Sequence, residues 1–267
     1  MHALLEKQGH IAVITLNRPE ALNALSPEMI CQLADHWKEV RDNPEIRVAV
    51  VTGAGPKSFC SGADLGQLIP LFNGSRTPQN EFEKRVVADS SLTGIGILRD
   101  FDTVKPVIAA VNGFAIAGGC EMLQGTDIRV ASDKARFGVQ EVKWAIFPGG
   151  GSTVRLPQQI PYCRAMELLI TGDLLSAQEA FDIGLINKVV APEKVMDAAM
   201  EYAVKIARNG PIAVQAIRRS ARECLGHPEK EAMAMESKFS GPVFRTEDAV
   251  EGPRAFMEKR EPVFKGR

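Results

Sequence analysis

The run Ala109-Ala110-Val111-Asn112-Gly113-Phe114-Ala115-Ile116-Ala117-Gly118-Gly119-Cys120-Glu121 constrains this chain more than any other. It opens apolar and β-branched, as a buried strand does. Asn-Gly then punctuates it, a second glycine pair follows, and a carboxylate comes next. Glycine pairs let backbone N–H groups approach a ligand with no Cβ in the way. A helix is predicted to begin at the pair and run through Cys120, Glu121, Met122 and Leu123. Its first N–H groups have no partner inside the helix, and the helix dipole favours negative charge there. The stretch therefore offers free donors with a carboxylate one turn away. Donors aimed at developing negative charge are a catalytic device.

The chain has 267 residues, enough for one or two domains, and is 45% hydrophobic, enough to bury a sizeable core. Its net charge of −1 argues against nucleic acid or an anionic membrane as the main partner. No apolar run approaches a membrane span. The N-terminus, Met1-His2-Ala3-Leu4-Leu5-Glu6-Lys7, lacks the layout of a signal or transit peptide. Cysteines 31, 60, 120, 163 and 224 are odd in number and scattered, as free thiols of a cytoplasmic protein would be. With 4 scattered histidines and no H-E-x-x-H, no metal site is expected.

Strands are predicted from His10 to Leu16, Arg47 to Thr52, Lys105 to Val111, Asp127 to Ala131 and Ile186 to Val190. Helices are predicted from Pro27 to Arg41, capped by Ser26, and from Asn80 to about Phe101. Trp37 falls on the apolar face of the first and reads as core. The polar, turn-rich run Pro70 to Gln79 reads as a mobile segment. Gly53-Ala54-Gly55-Pro56-Lys57-Ser58 fails the phosphate-loop pattern because proline replaces the second glycine. Strands alternating with helices give an α/β core. After Gly149-Gly150-Gly151 the pattern becomes helix upon helix: Arg164 to Leu169, a capping box at Ser176-Ala177-Gln178-Glu179, Pro192 to Arg208, and Pro211 to Leu225. Arg218, Arg219 and Arg222 read as a solvated basic face, and Gly252-Pro253 as a break in the tail. The expected division is a core over residues 1–195 and a helical region over 196–267, one functional unit.

Two further stretches complete the picture: Phe59-Cys60-Ser61-Gly62-Ala63-Asp64-Leu65 upstream, and Ala135-Arg136-Phe137-Gly138-Val139-Gln140-Glu141-Val142 followed by Phe147-Pro148-Gly149-Gly150-Gly151 downstream. Together with the central run they resemble the crotonase superfamily, the enoyl-CoA hydratase/isomerase family, in the expected order and over nearly the whole chain. The resemblance implies a spiral of ββα units with a C-terminal helical trimerisation region, assembled as a homotrimer or a dimer of trimers. It implies an acyl-CoA thioester substrate, with coenzyme A part of that substrate and no separate cofactor.

By position, the resemblance assigns the two oxyanion-hole N–H groups to Ala63 and Gly118. It assigns the catalytic carboxylates to Glu121 and Glu141. Substrate contacts fall to Ser61, Asp64 and Leu65, and coenzyme A contacts to Lys57, Phe256 and Lys259, the last two often reaching a neighbouring subunit. Gly66 stands where members often carry lysine, which puts one phosphate contact in question. Gln124-Gly125 stands where apolar residues are common and has no functional account at this level. Adding water across a conjugated C=C needs a base for the water and an acid for the α carbon. The resemblance casts Glu121 as the first and Glu141 as the second, though the two can share the water and the split stays open. Isomerases that resemble this chain usually keep only the carboxylate at the Glu141 position, so the pair argues for syn-hydration of a 2-enoyl-CoA. An isomerase and a hydratase-lyase of the same fold remain alternatives, as does a non-catalytic or RNA-binding homologue. The acyl pocket is expected between the Leu65 to Leu98 region and Trp144, Ile146 and Phe147.

Overall fold

Strands β1 (Ala3–Gln8) and β2 (Ile11–Leu16) open the chain as an antiparallel hairpin in the computed structural model, which describes residues 1–267. Helix α1 (Pro27–Asp42) follows, with the Met29 N–H donating to Ser26 Oγ at 3.1 Å. Ser-Pro is a helix start because the hydroxyl satisfies a free donor and proline lacks one. Trp37 is fully buried, and its Nε1 donates to the Gly96 carbonyl at 3.0 Å.

The chain then takes the same step repeatedly. Strand β3 (Val48–Gly53) leads to β4 (Ser58–Cys60) and the short helices α2 (Ile69–Phe72), α3 (Glu81–Ala88) and α4 (Ser91–Gly96). Strand β5 (Val107–Val111) leads to β6 (Phe114–Ile116) and α5 (Gly118–Gln124). Strand β7 (Ile128–Ser132) leads to β8 (Arg136–Gly138), a 3₁₀ turn at Glu141–Trp144 and α6 (Ser152–Gln159). The remainder is α7 (Tyr162–Thr171), β9 (Leu175–Ser176), α8 (Ala177–Asp182), β10 (Lys188–Val190), α9 (Val195–Arg208), α10 (Pro211–Cys224), α11 (Glu229–Val243) and α12 (Glu247–Met257).

Each step adds one strand to each of two sheets. The large sheet runs β1-β2-β3-β5-β7-β10, parallel from β2 onward, and the small one runs β4-β6-β8-β9. This is the spiral of ββα units. All five residues of β5 are buried, because a central strand covered on both faces must be apolar throughout. One apolar core lies between the sheets and helices. A second lies beneath α9, where Ala198, Ala199 and Ala203 pack on Val48, Val50, Ile108 and Val130. Within the small sheet β4, β6 and β8 are adjacent and parallel, so their C-terminal ends lie side by side.

Several expectations need correction. The helix expected over Asn80 to Phe101 is two helices, broken at Asp89, which ends the first and accepts from Ser91 N and Oγ at 3.0 and 2.6 Å. The polar run 70–79 begins within the short helix α2, and its far end meets buried Glu83, which pairs with Arg76 and accepts from Gln79 N at 2.7 Å. Helix α12 runs unbroken through Gly252-Pro253. The C-terminal tail holds it, Asp248 accepting from Lys265 N and Gly266 N at 2.7 and 2.8 Å. Helix α11 falls where the sequence pattern predicts no helix; it is charge-rich, has no buried residue and packs mainly on α10.

The basic face of α10 is only partly solvated. The Arg218 side chain is buried and binds Asp127 at 2.8 Å and Asp102 at 2.5 Å, joining α10 to the loops before β5 and β7. Removing one partner of a buried ion pair strands the other. Because Asp102 and Asp127 keep some solvent, Arg218→Ala is expected to cost about 2–3 kcal/mol, at the low end of that effect. Urea unfolding of the two proteins side by side measures it; an unchanged midpoint would show the pairs to be energetically idle.

Candidate active site

The three motifs that drew attention in the sequence occupy one kind of place. Ser61-Gly62-Ala63 follows β4, Ala117-Gly118 follows β6, and Val139-Gln140-Glu141 follows β8. Adjacent parallel strands bring those ends together, at the carboxyl edge where sheets of this type bind ligands.

Gly62 adopts φ +94°, and a Cβ there would stand 2.7 Å from the Ala117 Cβ and 3.2 Å from the Gly118 nitrogen. Only glycine permits this approach. It brings the Ala63 nitrogen within 3.9 Å of the ideal Gly118 Cβ position, so two backbone N–H groups lie close together. Neither is committed to a backbone partner. Ala117 itself has φ 52° and ψ −127°, a strained conformation for a residue with a side chain. Such strain costs roughly 1–3 kcal/mol and persists only where surrounding structure enforces it. Here the Ala117 N–H donates to the Gly138 carbonyl at 2.9 Å and its carbonyl accepts from Glu121 N at 2.9 Å. The strained residue thus turns the start of α5 toward the cavity.

That cavity has a volume of about 460 Å³. Ser61, Ala63, Gly118, Glu121 and Glu141 line it together with Leu65, Leu68, Ile69, Phe72, Ile97, Trp144, Ile146 and Phe147. Its apolar wall thus comes from the two segments expected to form the acyl pocket.

The two carboxylates differ in their surroundings. Glu121, on α5, is 4% exposed, and burial raises its pKa above the ordinary carboxylate value. Against that, the Ser152 N–H donates to Oε1 at 3.3 Å and the Gly150 N–H also donates, both favouring the ionised form. Glu141, at the start of the 3₁₀ turn, has a buried Oε2 with no hydrogen-bond partner. Burial first, and the like charge of Glu121 as a further contribution, push its pKa up to about 7. Glu121 is supplied with donors by a neighbouring helix start, whereas Glu141 has only its own N–H and leaves Oε2 unpartnered.

The donors to Glu121 were not foreseen. They come from the N-terminus of α6, where Gly149-Gly150-Gly151 precedes Ser152 and Gly151 at φ 115° caps the helix. A glycine run entering a helix was the readable signal, since free N–H groups cluster there. Gly150 also packs against the carboxylate: a Cβ there would stand 2.2 Å from Glu121 Oε2.

The remaining expected residues are placed differently. The Asp64 carboxylate turns inward, pairing with Arg18 at 3.0 Å and accepting from Gly66 N and Gln67 N at 3.0 and 2.9 Å. It builds the loop that carries Ala63 and exposed Leu65. Lys57 is exposed in the β3–β4 turn, and Phe256 and Lys259 are exposed at the end of α12; none of the three lines the cavity.

Residues 6–267 match the family model described as enoyl-CoA hydratase/isomerase, and the chain belongs to that family. An enoyl-CoA hydratase of Mycobacterium tuberculosis is 46% identical over 99% of this chain and 97% of its own length. An (E)-benzylidenesuccinyl-CoA hydratase of Thauera aromatica is 41% identical over the full length of both. Among solved structures, an enoyl-CoA hydratase from Bacillus anthracis superposes with a TM-score of 0.89 at 35% identity, covering 100% of each chain. The fold is therefore the crotonase fold.

Proposed function

We propose that this protein is a hydro-lyase that adds water to a 2-enoyl-CoA thioester and yields the 3-hydroxyacyl-CoA. One observation carries the reading: two differently tuned carboxylates share a cavity with two neighbouring, uncommitted backbone N–H groups. Glu121, whose carboxylate accepts from the Ser152 N–H, takes a proton from water as the water oxygen attacks the β carbon. The displaced electron pair moves to the thioester oxygen, giving an enolate held by Ala63 and Gly118. Loss of one such donor costs about 2.7–4 kcal/mol in a well-characterised enzyme. Glu141, half protonated near neutrality, then donates a proton to the α carbon. Pairs of carboxyl groups whose surroundings push their pKa values apart divide acid and base roles in this way.

Lys57, Phe256 and Lys259 are assigned to coenzyme A, the last two acting across a subunit boundary, which agrees with their exposure outside the cavity. Residues 196–267 are assigned to assembly as a homotrimer or a dimer of trimers. Exposed Ile217, Met233 and Phe244, at 69%, 57% and 79%, line one groove between α10 and α11 and support that reading, because apolar side chains gathered on one surface mark contact sites.

The test is loss of the conjugated-thioester absorbance with crotonyl-CoA, then with longer, branched and aromatic 2-enoyl-CoAs. Rapid loss with a 3-hydroxyacyl product is expected. No loss with any of them would overturn hydration and direct attention to 3-enoyl thioesters and isomerisation.

A further inference from the structure

We propose that Gln124 is a positioning residue that sets the direction of the Ser152 hydroxyl and thereby supports the Glu121 carboxylate; this rests on the base role given to Glu121 above. Gln124 lies one turn beyond Glu121 on α5 and is 3% exposed. Its Nε2 donates to Ser152 Oγ at 2.8 Å and to the Cys120 carbonyl at 3.3 Å.

The second bond fixes the amide. Were it reversed, Oε1 would face the Cys120 carbonyl, acceptor against acceptor. With Nε2 turned that way, the Ser152 oxygen has to accept. A hydroxyl has one proton, and with its oxygen occupied by a donor that proton is free for an acceptor. The acceptor at hand is the Glu121 carboxylate, which already takes the N–H of the same serine at 3.3 Å.

Two further side chains hold the chain of contacts in place, buried Arg129 and exposed Gln159. Gln159 Nε2 donates to the Gln124 main-chain carbonyl at 2.9 Å, and Arg129 Nη2 donates to Gln159 Oε1 at 2.9 Å. Gln124 Oε1 has no partner in this network. A buried amide with one unfilled acceptor costs stability, and its place beside the base offers a reason for keeping it.

The experiment measures kcat, KM and the pH profile of kcat for crotonyl-CoA hydration in Gln124→Met, Ser152→Ala, Ser152→Thr and the double variant Gln124→Met/Ser152→Ala. Removing a hydrogen bond to a charged group is expected to lower kcat roughly 10- to 100-fold, with KM within about twofold. The acidic limb should move up by about one pH unit, since Glu121 loses a donor to its ionised form. Ser152→Thr keeps the hydroxyl and should keep the native limb. The double variant should be no worse than the worse single one, as expected when two residues act as one unit. Native limbs in both single variants, or additive losses, would overturn the inference. If Gln124→Met does not fold, the contrast between Ser152→Ala and Ser152→Thr decides alone. Glu121→Gln serves as the reference. Full hydration in that variant would sink the base role itself, whereas a dead Glu121→Gln beside unchanged Gln124 and Ser152 variants would sink only the role of Gln124.

Discussion

Glu141→Gln is expected to lower hydration by roughly 10²–10⁴-fold, the range for loss of one positioned proton transfer. Coenzyme A binding should survive, because no coenzyme A contact is assigned to this residue. The same substitution should stabilise the protein at alkaline pH. In the folded state the Glu141 pKa stands at about 7, against an ordinary value of 4.5, so folding favours the neutral carboxyl. A raised pKa means that the folded state binds more protons than the unfolded one, and stability falls as pH rises. This group's contribution is fully present below about 4.5 and is lost as pH climbs through about 7. Glutamine stays neutral throughout. Its advantage over the native chain should therefore grow between those limits and level off near 2 kcal/mol, the residue's partial exposure having been discounted. Denaturation midpoints at pH 5 and pH 8.5 measure the difference, and turnover with an enoyl-CoA measures the loss. Native turnover in the variant would remove Glu141 from the mechanism, and equal stability gaps at the two pH values would contradict its elevated pKa.

Glu121→Gln is expected to separate hydration from exchange of the α proton. Hydration needs the water oxygen to be activated, and an amide cannot take that proton, so a loss of roughly 10²–10⁴-fold is expected. Exchange of the α proton of a saturated acyl-CoA with deuterated water needs only one shuttle at the α carbon, which is Glu141. Exchange should therefore fall far less than hydration. Nuclear magnetic resonance of butyryl-CoA in deuterated buffer follows the exchange, and absorbance follows the hydration. Equal loss of both would contradict the division of labour between the two residues.

Much of this was legible in the chain. The buried strands β3 and β5 announce themselves as near-continuous apolar runs, because a strand covered on both faces has no alternation to hide behind. Ser26-Pro27 marks the start of α1 and Ser176 with Glu179 marks α8, since caps depend on neighbouring residues only. The small sheet was not legible. Strands β4, β6 and β8 are three residues each, too short for any period to register, and they exist because the large-sheet strands deliver them side by side. Arg218 reads as a surface charge until Asp102 and Asp127 arrive from loops far away in sequence. The two glutamates and the two amides follow from the motifs, whereas the donors that distinguish Glu121 from Glu141 come from the packing of α6.

The placement of the motifs at three neighbouring strand ends bears on how such a molecule can change. The Ala63 turn, the Gly118 turn and the Glu141 turn each belong to a different winding of the spiral, and each is rooted in its own strand. A substitution in one turn need not disturb the backbone of the other two. The scaffold thus behaves as a row of sockets on a common rail, where the carboxylate of one turn can be exchanged, moved or deleted while the backbone amides of the other two stay as they are. New reactions on an activated thioester would then require a new plug in one socket, without a new fold.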